Sequence, residues 1–165
     1  MKIVVDNREK RPFTFEGFSD IEIVEGRLVT GDYSIFGAES CVAVERKSMN
    51  DLALSLGCNR ERFKRELERS RALQSFAVVV EGSYDDVVQG RYASQLSPKS
   101  GISSLMAFAS RLGISFLFAG SRANAEHATA TFLWQYQNGE IKRLRSLEKA
   151  MGLPTSQTTT QCKGK

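Results

Sequence analysis

Short apolar segments separated by turn residues fill the first third of the chain. Their Val and Ile content predicts four strands, near Lys2 to Val5, Ile21 to Val29, Tyr33 to Phe36 and Cys41 to Arg46. A short turn over residues 37–40 separates the last two segments and predicts an antiparallel hairpin. The whole region is typical of a strand meander.

Two helical patterns follow this region. A helix is predicted over Met49 to Leu56, where Ser48 can cap the first turn and Gly57 can end the last one. Residues Asn59 to Ala72 form a second helical segment, which is highly charged. Its i,i+4 spacing favours ion pairs between neighbouring turns, Glu61 with Arg65 and Arg62 with Glu66.

Strands and helices alternate in the second half of the chain. Phe76 to Val80 is a continuous apolar run, which is typical of a strand buried on both faces in the middle of a sheet. After it come a helix from Pro98 that ends at Gly113, a strand over Ile114 to Phe118 and a helix over Arg122 to Gln137. This alternation predicts a parallel unit, so the fold class is α/β with a mixed central sheet flanked by helices.

Length and composition favour one domain. The chain has 165 residues, of which 41% are hydrophobic, so we expect a single core over residues 1–152. Residues 153–165 are rich in Thr and Gln, and we expect them to be disordered. No apolar run reaches 18 residues, and three widely spaced cysteines suggest a reducing compartment. We therefore expect a cytoplasmic protein, or a nuclear one in a eukaryote, without membrane contact.

The histidine count restricts the chemistry, because His127 is the only histidine in the sequence. Hydrolases that need two or more imidazoles are excluded, including HExxH metalloproteases and most zinc hydrolases. A metal ion, if used, must have oxygen ligands, which favours Mg²⁺ or Mn²⁺. The net charge of +4 is compatible with a polyanionic partner.

Asp32, Glu45 and Lys47 form the strongest candidate for chemistry. Glu45 and Lys47 lie two residues apart on one predicted strand, so their side chains share a face, whereas Arg46 points to the other face. The hairpin can place Asp32 beside Glu45, which would put two carboxylates and an ammonium around one divalent ion. Phosphodiester hydrolysis uses such a set of groups. The Glu-x-Lys pattern alone is also common on solvated strand faces.

Several neighbouring residues have an ordinary structural alternative. Asp6 ends the first strand, where it can join an acidic cluster or belong to a polar turn. The pair Gly31-Asp32 can likewise be a turn. Asp51 lies three residues after Ser48, which is typical of a capping acid and is also compatible with a metal role.

The order and spacing of these residues resemble the nuclease domain of the XPF family of structure-specific endonucleases. The matching segments are Val5 to Glu9, Gly31 to Tyr33, Val44 to Lys47 and Asp51-Leu52. The family signature is GDY followed by ERKxxxD, which Glu45 to Asp51 fits without a gap. The resemblance extends more faintly to about residue 137. It implies a restriction-endonuclease-like core, dependence on Mg²⁺ or Mn²⁺, and cleavage of branched or flapped DNA.

The resemblance also implies roles for individual residues. The roles carried over are metal ligation by Asp32 and Glu45, a catalytic lysine at Lys47, and support of the metal site by Asp6 and Asp51. Asp6 is in addition a candidate for a third ligand. Arg46 belongs to the same catalytic signature, but its side of the strand favours an internal ion pair or a helix contact.

Candidates for DNA binding lie in three regions. They are Arg8 after the first strand, Arg60, Arg62 and Lys64 on the charged helix, and Arg91, Tyr92 and Lys99 in the loop from Gly90 to Gly101. The tyrosine ring could stack on an unpaired base. A solvated helix and an ordinary surface loop are the alternatives. No base-reading motif is visible, so we expect recognition of shape and backbone.

Family members commonly carry a helicase domain before the nuclease or a helix-hairpin-helix tail after it. Residues 140–152 leave room for one basic helix, so we expect a stand-alone nuclease module of the kind that small bacterial or phage genomes encode. The resemblance implies a homodimer, which the apolar later helices also favour, and a role in DNA repair or recombination. The alternatives are a DNA-binding module with an idle site that positions a partner, and a junction resolvase or exonuclease of the same fold.

Overall fold

The computed structural model describes residues 1–153. The elements are β1 (Lys2–Asp6), β2 (Glu22–Gly26), β3 (Tyr33–Ile35), β4 (Val42–Ser48), α1 (Met49–Leu56), α2 (Arg60–Ser70), β5 (Ser75–Glu81), α3 (Tyr84–Gln89), α4 (Pro98–Leu112), β6 (Ser115–Phe118) and α5 (Arg122–Ala150). The strands form one mixed sheet in the order β2-β1-β3-β4-β5-β6. The predicted disordered tail lies outside the described residues, apart from Leu153.

Strand pairing follows the prediction in all but one place. β3 and β4 form the predicted antiparallel hairpin, and β4, β5 and β6 are parallel. The meander prediction is wrong for β2, which pairs in parallel with the outer edge of β1. Parallel neighbours need a long crossover, and residues 7–21 provide it. Phe13 and Phe15 of this crossover are buried in the core on one face of the sheet, which holds the segment in place.

Each face of the sheet has its own core. α5 and the crossover pack on the face that includes Val79. α1, α2, α3 and α4 contribute to the core on the opposite face, which includes Val78 and Val80. Because Glu45 and Lys47 lie beside Val78 and Val80 in the register of β4 and β5, they point to this second face.

β5 is confirmed as an internal strand, since Val78, Val79 and Val80 are fully buried between β4 and β6. β3 and β4 occupy the middle of the sheet. The helix α3 was not predicted; Ser83 and Asp86 form a capping box that starts it. Within residues 1–153, no helix is long and apolar enough to cross a membrane.

The helices differ from the predictions in two further respects. α5 continues to Ala150, well beyond the predicted end at Gln137. Within the described residues, α2 has one i,i+4 ion pair, between Lys64 and Glu68. The predicted pairs of Glu61 with Arg65 and of Arg62 with Glu66 do not form there. Both side chains of the Lys64–Glu68 pair are about half exposed, so it contributes little to stability.

Candidate active site

The β3–β4 hairpin holds Asp32 against the strand that carries Glu45. The backbone N–H of Asp32 donates to the carbonyl of Val44 at 2.8 Å, and its Oδ2 accepts from the backbone N–H of Arg46 at 2.7 Å. Gly31 has a φ of +83°, and a Cβ on it would lie 2.9 Å from the Cβ of Ala43. A side chain at position 31 would therefore force the two strands apart and move Asp32 away from β4.

Glu45 and Lys47 share one face of β4, as predicted, and form an ion pair there. Lys47 Nζ lies 2.7 Å from Glu45 Oε1, and each residue is 8% exposed. The same ammonium lies 4.7 Å from the ring centroid of Phe63 on α2, which is a cation–π contact. The pair is therefore enclosed between the sheet and α2, at the floor of a cleft that both residues line.

Burial and mutual charge shift the ionisation of these groups. Burial raises the pKa of Asp32 to about 6, although the hydrogen bond from Arg46 opposes this. Burial also raises the pKa of Glu45 well above its ordinary value, against the attraction of Lys47. For Lys47, burial acts to lower the pKa, but Glu45 and Glu66 outweigh it and the net shift is upward. A cation bound beside Asp32 and Glu45 would favour the charged form of both carboxylates and would therefore lower their pKa values.

Arg46 points to the opposite face of β4 and forms internal ion pairs, which confirms that prediction. Its guanidinium contacts Glu9 at 3.2 Å and Glu81 at 2.9 Å, and all three side chains are nearly buried. Burial acts against the charge, but hydrogen bonds to Glu9 and Glu81 outweigh it and raise the pKa of Arg46. Glu81 also pairs with Arg122 at the start of α5 at 2.7 Å. The network connects β1, β4, β5 and α5 behind the site.

Both carboxylate oxygens of Asp6 accept hydrogen bonds from residues near the end of β1 and from Leu28. Its Oδ1 accepts from the backbone and Nε of Arg8, and its Oδ2 accepts from Nη2 of Arg8 and from the backbone N–H of Leu28. These bonds, the side-chain bond to Arg8 first, lower the pKa of Asp6 to about 2. Both oxygens of Asp6 are thus engaged in fixing the strand β1 to residues 27–30.

Asp51 lines the cleft and also supports Ser48, the residue that caps α1. Its Oδ2 accepts from the hydroxyl of Ser48 at 2.6 Å, and its backbone N–H donates to that hydroxyl at 3.2 Å. The prediction that Ser48 caps α1 is therefore confirmed, and the Asp51 carboxylate binds the capping hydroxyl instead of completing a capping box. As an acid in the first turn of α1, Asp51 also adds negative charge at the rim of the site.

One stripe of α2 and its N-cap faces the cleft, and sequence reasoning found only one of its four residues. Asn59, Arg62, Glu66 and Arg69 all line the cleft, opposite Arg8 and Lys10. Only Arg62 and Arg8 of this set were predicted as binding residues. The sequence signal for this stripe was the spacing of its polar residues, which are three, four and three positions apart. They run beside a buried stripe that includes Phe63 and Leu67. The cleft is therefore acidic at its floor, and its walls carry four basic side chains together with Glu66 and Asp51.

The other predicted DNA-binding residues lie outside this cleft. Arg60 packs with its guanidinium 4.5 Å from the ring of Phe108. Lys64 pairs with Glu68, and Arg91 pairs with Asp85 and Asp86. The Tyr92 hydroxyl donates to the carbonyl of Leu96 at 3.1 Å, and Lys99 is exposed on α4. The structure does not bring these residues together with Arg8 and Arg62.

The donor set suits a hard cation. In the described part of the chain, no three His, Cys, Asp or Glu side chains are arranged as a preformed metal cluster. Asp32 and Glu45 nevertheless supply two carboxylates at one cleft floor. Mg²⁺ is commonly held by one or two carboxylates, with waters and substrate phosphates as the remaining ligands. The residues present therefore fit a magnesium-type ion.

The protein has a restriction-endonuclease-like nuclease fold. This fold is defined by the mixed sheet with helices on both faces and by the acids and lysine on the central strands. The profile of the ERCC4 domain matches residues 5–132. The chain belongs to this family of nucleases.

Two solved structures support the fold assignment. XPF from Aeropyrum pernix is 21% identical, with a TM-score of 0.67 over 82% of this chain and 61% of that one. XPF from Aeropyrum pernix in complex with DNA is 20% identical, with a TM-score of 0.65 over 84% of this chain and 66% of that one. The chain thus spans about two thirds of the length of these structures or slightly less. A comparison with curated protein sequences finds no match.

The Arg46 network gives a prediction for stability. Replacing Arg46 with Met leaves Glu9 and Glu81 nearly buried without their common partner. We expect the free energy of unfolding to fall by about 3–5 kcal/mol, as when one member of a buried ion pair is removed. Urea denaturation measures this change. Arg65→Met on the exposed side of α2 is the control and should change stability by less than about 0.5 kcal/mol. Equal midpoints for the two variants would contradict the stabilising role.

Proposed function

We propose that this chain is a divalent-metal-dependent endonuclease that hydrolyses DNA phosphodiester bonds at branched, flapped or junction structures. One observation carries the proposal: Asp32, Glu45 and Lys47 converge at the floor of a cleft whose walls are lined with arginines. Membership of the ERCC4 domain family and a fold shared with an XPF structure in complex with DNA support it. The branched substrate is inferred from the resemblance to the family.

Asp32 and Glu45 hold the metal ion in this proposal. A bound Mg²⁺ or Mn²⁺ polarises phosphoryl oxygens and lowers the pKa of a bound water. Lys47 brings a positive charge to the same floor, where it stabilises the charge that develops on the phosphoryl group. Because both Asp6 oxygens are engaged by Arg8 and Leu28, Asp6 supports the site by fixing its loop.

The walls of the cleft hold the DNA backbone. Arg62 and Arg69 lie seven residues apart on α2, which places them on the same side of the helix, two turns apart. Arg8 faces them from the end of β1, with its side chain 58% exposed. Arginines placed in this way can contact successive phosphates without reading base identity. This agrees with the expectation of shape and backbone recognition.

The metal site predicts the outcome of a cleavage assay. Incubation with flap, fork, four-way junction and plain duplex DNA should give cleavage of a branched substrate with Mg²⁺ or Mn²⁺ and none with chelator. Asp32→Ala and Glu45→Ala should each lower the cleavage rate at least about a hundredfold, because the ion that stabilises the transition state is lost. Denaturing gel electrophoresis measures the rates.

Asp20→Ala is the matched control for this assay, since Asp20 is exposed and lies outside the cleft. It should cleave at the wild-type rate. Cleavage that persists in chelator, or that survives Asp32→Ala and Glu45→Ala, would overturn the metal-site assignment. Binding without cleavage of any substrate would instead identify an idle DNA-binding module.

The basic walls predict a salt-dependent change in DNA binding. Arg62→Ala and Arg69→Ala should each weaken binding of a flap substrate in chelator, and each should reduce the slope of log K against log salt by about 1. Fluorescence anisotropy over a series of salt concentrations measures both effects. Arg65→Ala, on the exposed side of the same helix and outside the cleft, is the control. An equal loss of slope for Arg65→Ala would show that the helix acts only through its net charge.

We also propose that the chain forms a homodimer. The resemblance implies it, and α5 leaves large apolar side chains half exposed, including Trp134 and Leu144. Such a surface is typical of an interface between subunits. Sedimentation equilibrium should give a mass of twice the 18.3 kDa of one chain. A monomer mass at high protein concentration would exclude the homodimer.

A further inference from the structure

Glu66 is an acid of the cleft that has no role in the proposed function so far. It lies on α2 in the stripe that faces the site, between Arg62 and Arg69. Its side chain is half buried, and in the described part of the chain it takes part in none of the ion pairs. Glu66 is therefore a carboxylate on the wall of the cleft that is available to a cation.

The ammonium of Lys47 belongs to a residue that lines the same cleft as this acid. It contacts Glu45 at 2.7 Å and rests 4.7 Å from the ring centroid of Phe63. Phe63 and Glu66 are three residues apart on α2, so their side chains are neighbours on the helix surface. The charge of Glu66 acts on both Lys47 and Glu45. Lys47 therefore has one acid in contact, and a second acid lies one helical turn along α2 from the ring that its ammonium contacts.

Metal binding at Glu45 creates a conflict for Lys47. A carboxylate that coordinates a divalent cation cannot keep an ammonium in close contact at low cost, because the two positive charges repel each other in a poorly screened site. Lys47 must then find another anionic partner or remain buried without one. Glu66 is the acid that the cleft offers for this purpose.

We infer that Glu66 is a positioning residue, which accepts the ammonium of Lys47 when Glu45 takes up a metal ion. The inference rests on the proposed function, in which Asp32 and Glu45 are the ligands. Lys47 exchanges one carboxylate partner for another and keeps its proton. It thereby remains charged and close to the phosphoryl group while Glu45 is released for the ion.

A double-mutant cycle on metal affinity tests this exchange without DNA or turnover. Electron paramagnetic resonance of free Mn²⁺ gives the dissociation constant for the wild type, Glu66→Gln, Lys47→Gln and the double variant. Glu66→Gln should raise the dissociation constant about tenfold in the wild-type background, because Lys47 then stays on Glu45. In the Lys47→Gln background the same change should raise it less than about threefold, because no ammonium competes.

Three controls complete the cycle. Glu61→Gln removes the same charge from the exposed side of α2 and should leave the affinity unchanged. Glu66→Asp retains the carboxylate and should keep most of the wild-type affinity. Lys47→Met is a second neutral variant, in case Lys47→Gln does not fold, and circular dichroism checks each protein.

The possible outcomes separate this inference from the proposed function. Equal effects of Glu66→Gln in both backgrounds would overturn the exchange, since Glu66 would then act as a direct ligand or through long-range charge. No effect in either background would also overturn it. The proposed metal site itself is wrong if the wild-type protein binds no Mn²⁺. It is also wrong if Asp32→Asn and Glu45→Gln leave Mn²⁺ binding unchanged.

Discussion

The buried ion pairs of Arg46 are the constraint on which the rest of the site depends. One guanidinium connects Glu9 after β1 with Glu81 at the end of β5, and Glu81 in turn binds Arg122 at the start of α5. Charge-assisted hydrogen bonds in a nearly dry environment tolerate little displacement of their partners. The end of β4 is therefore fixed from behind, and the residues on either side of Arg46 point to the cleft in a defined orientation.

Much of the fold and the centre of the site could be predicted from the sequence. Apolar runs and capping residues locate the central hairpin, the buried β5 and the main helices, because these elements depend on local patterns. The period of two along β4 separates Glu45 and Lys47 from Arg46 without any knowledge of the sheet. The hairpin then places Asp32 beside them. These predictions need only short-range geometry.

Other features depend on contacts that a single sequence does not reveal. The parallel pairing of β2 is determined by how the crossover packs, through Phe13 and Phe15, on the same face as α5. The acid Asp6 appears available for a metal in the sequence, but Arg8 and Leu28 occupy its oxygens in the fold. The spacing of polar residues along α2 predicts a polar face on this helix. Which part of the protein that face contacts depends on how the helix packs.

The order Glu-Arg-Lys along β4 places two ion pairs of different kinds on opposite faces of one strand. Arg46 has acids on two sides, and its side chain points to the face of the sheet opposite to Glu45 and Lys47, so its charge is neutralised within the protein. Lys47 has one acid in contact and borders a cleft that other charged groups can enter. Because a buried pair often stabilises a fold no more than apolar side chains of similar volume, stability alone does not explain Glu45 and Lys47. Because both side chains line the cleft, the proposed role in chemistry accounts for this pair, whereas the pairs of Arg46 hold the strand.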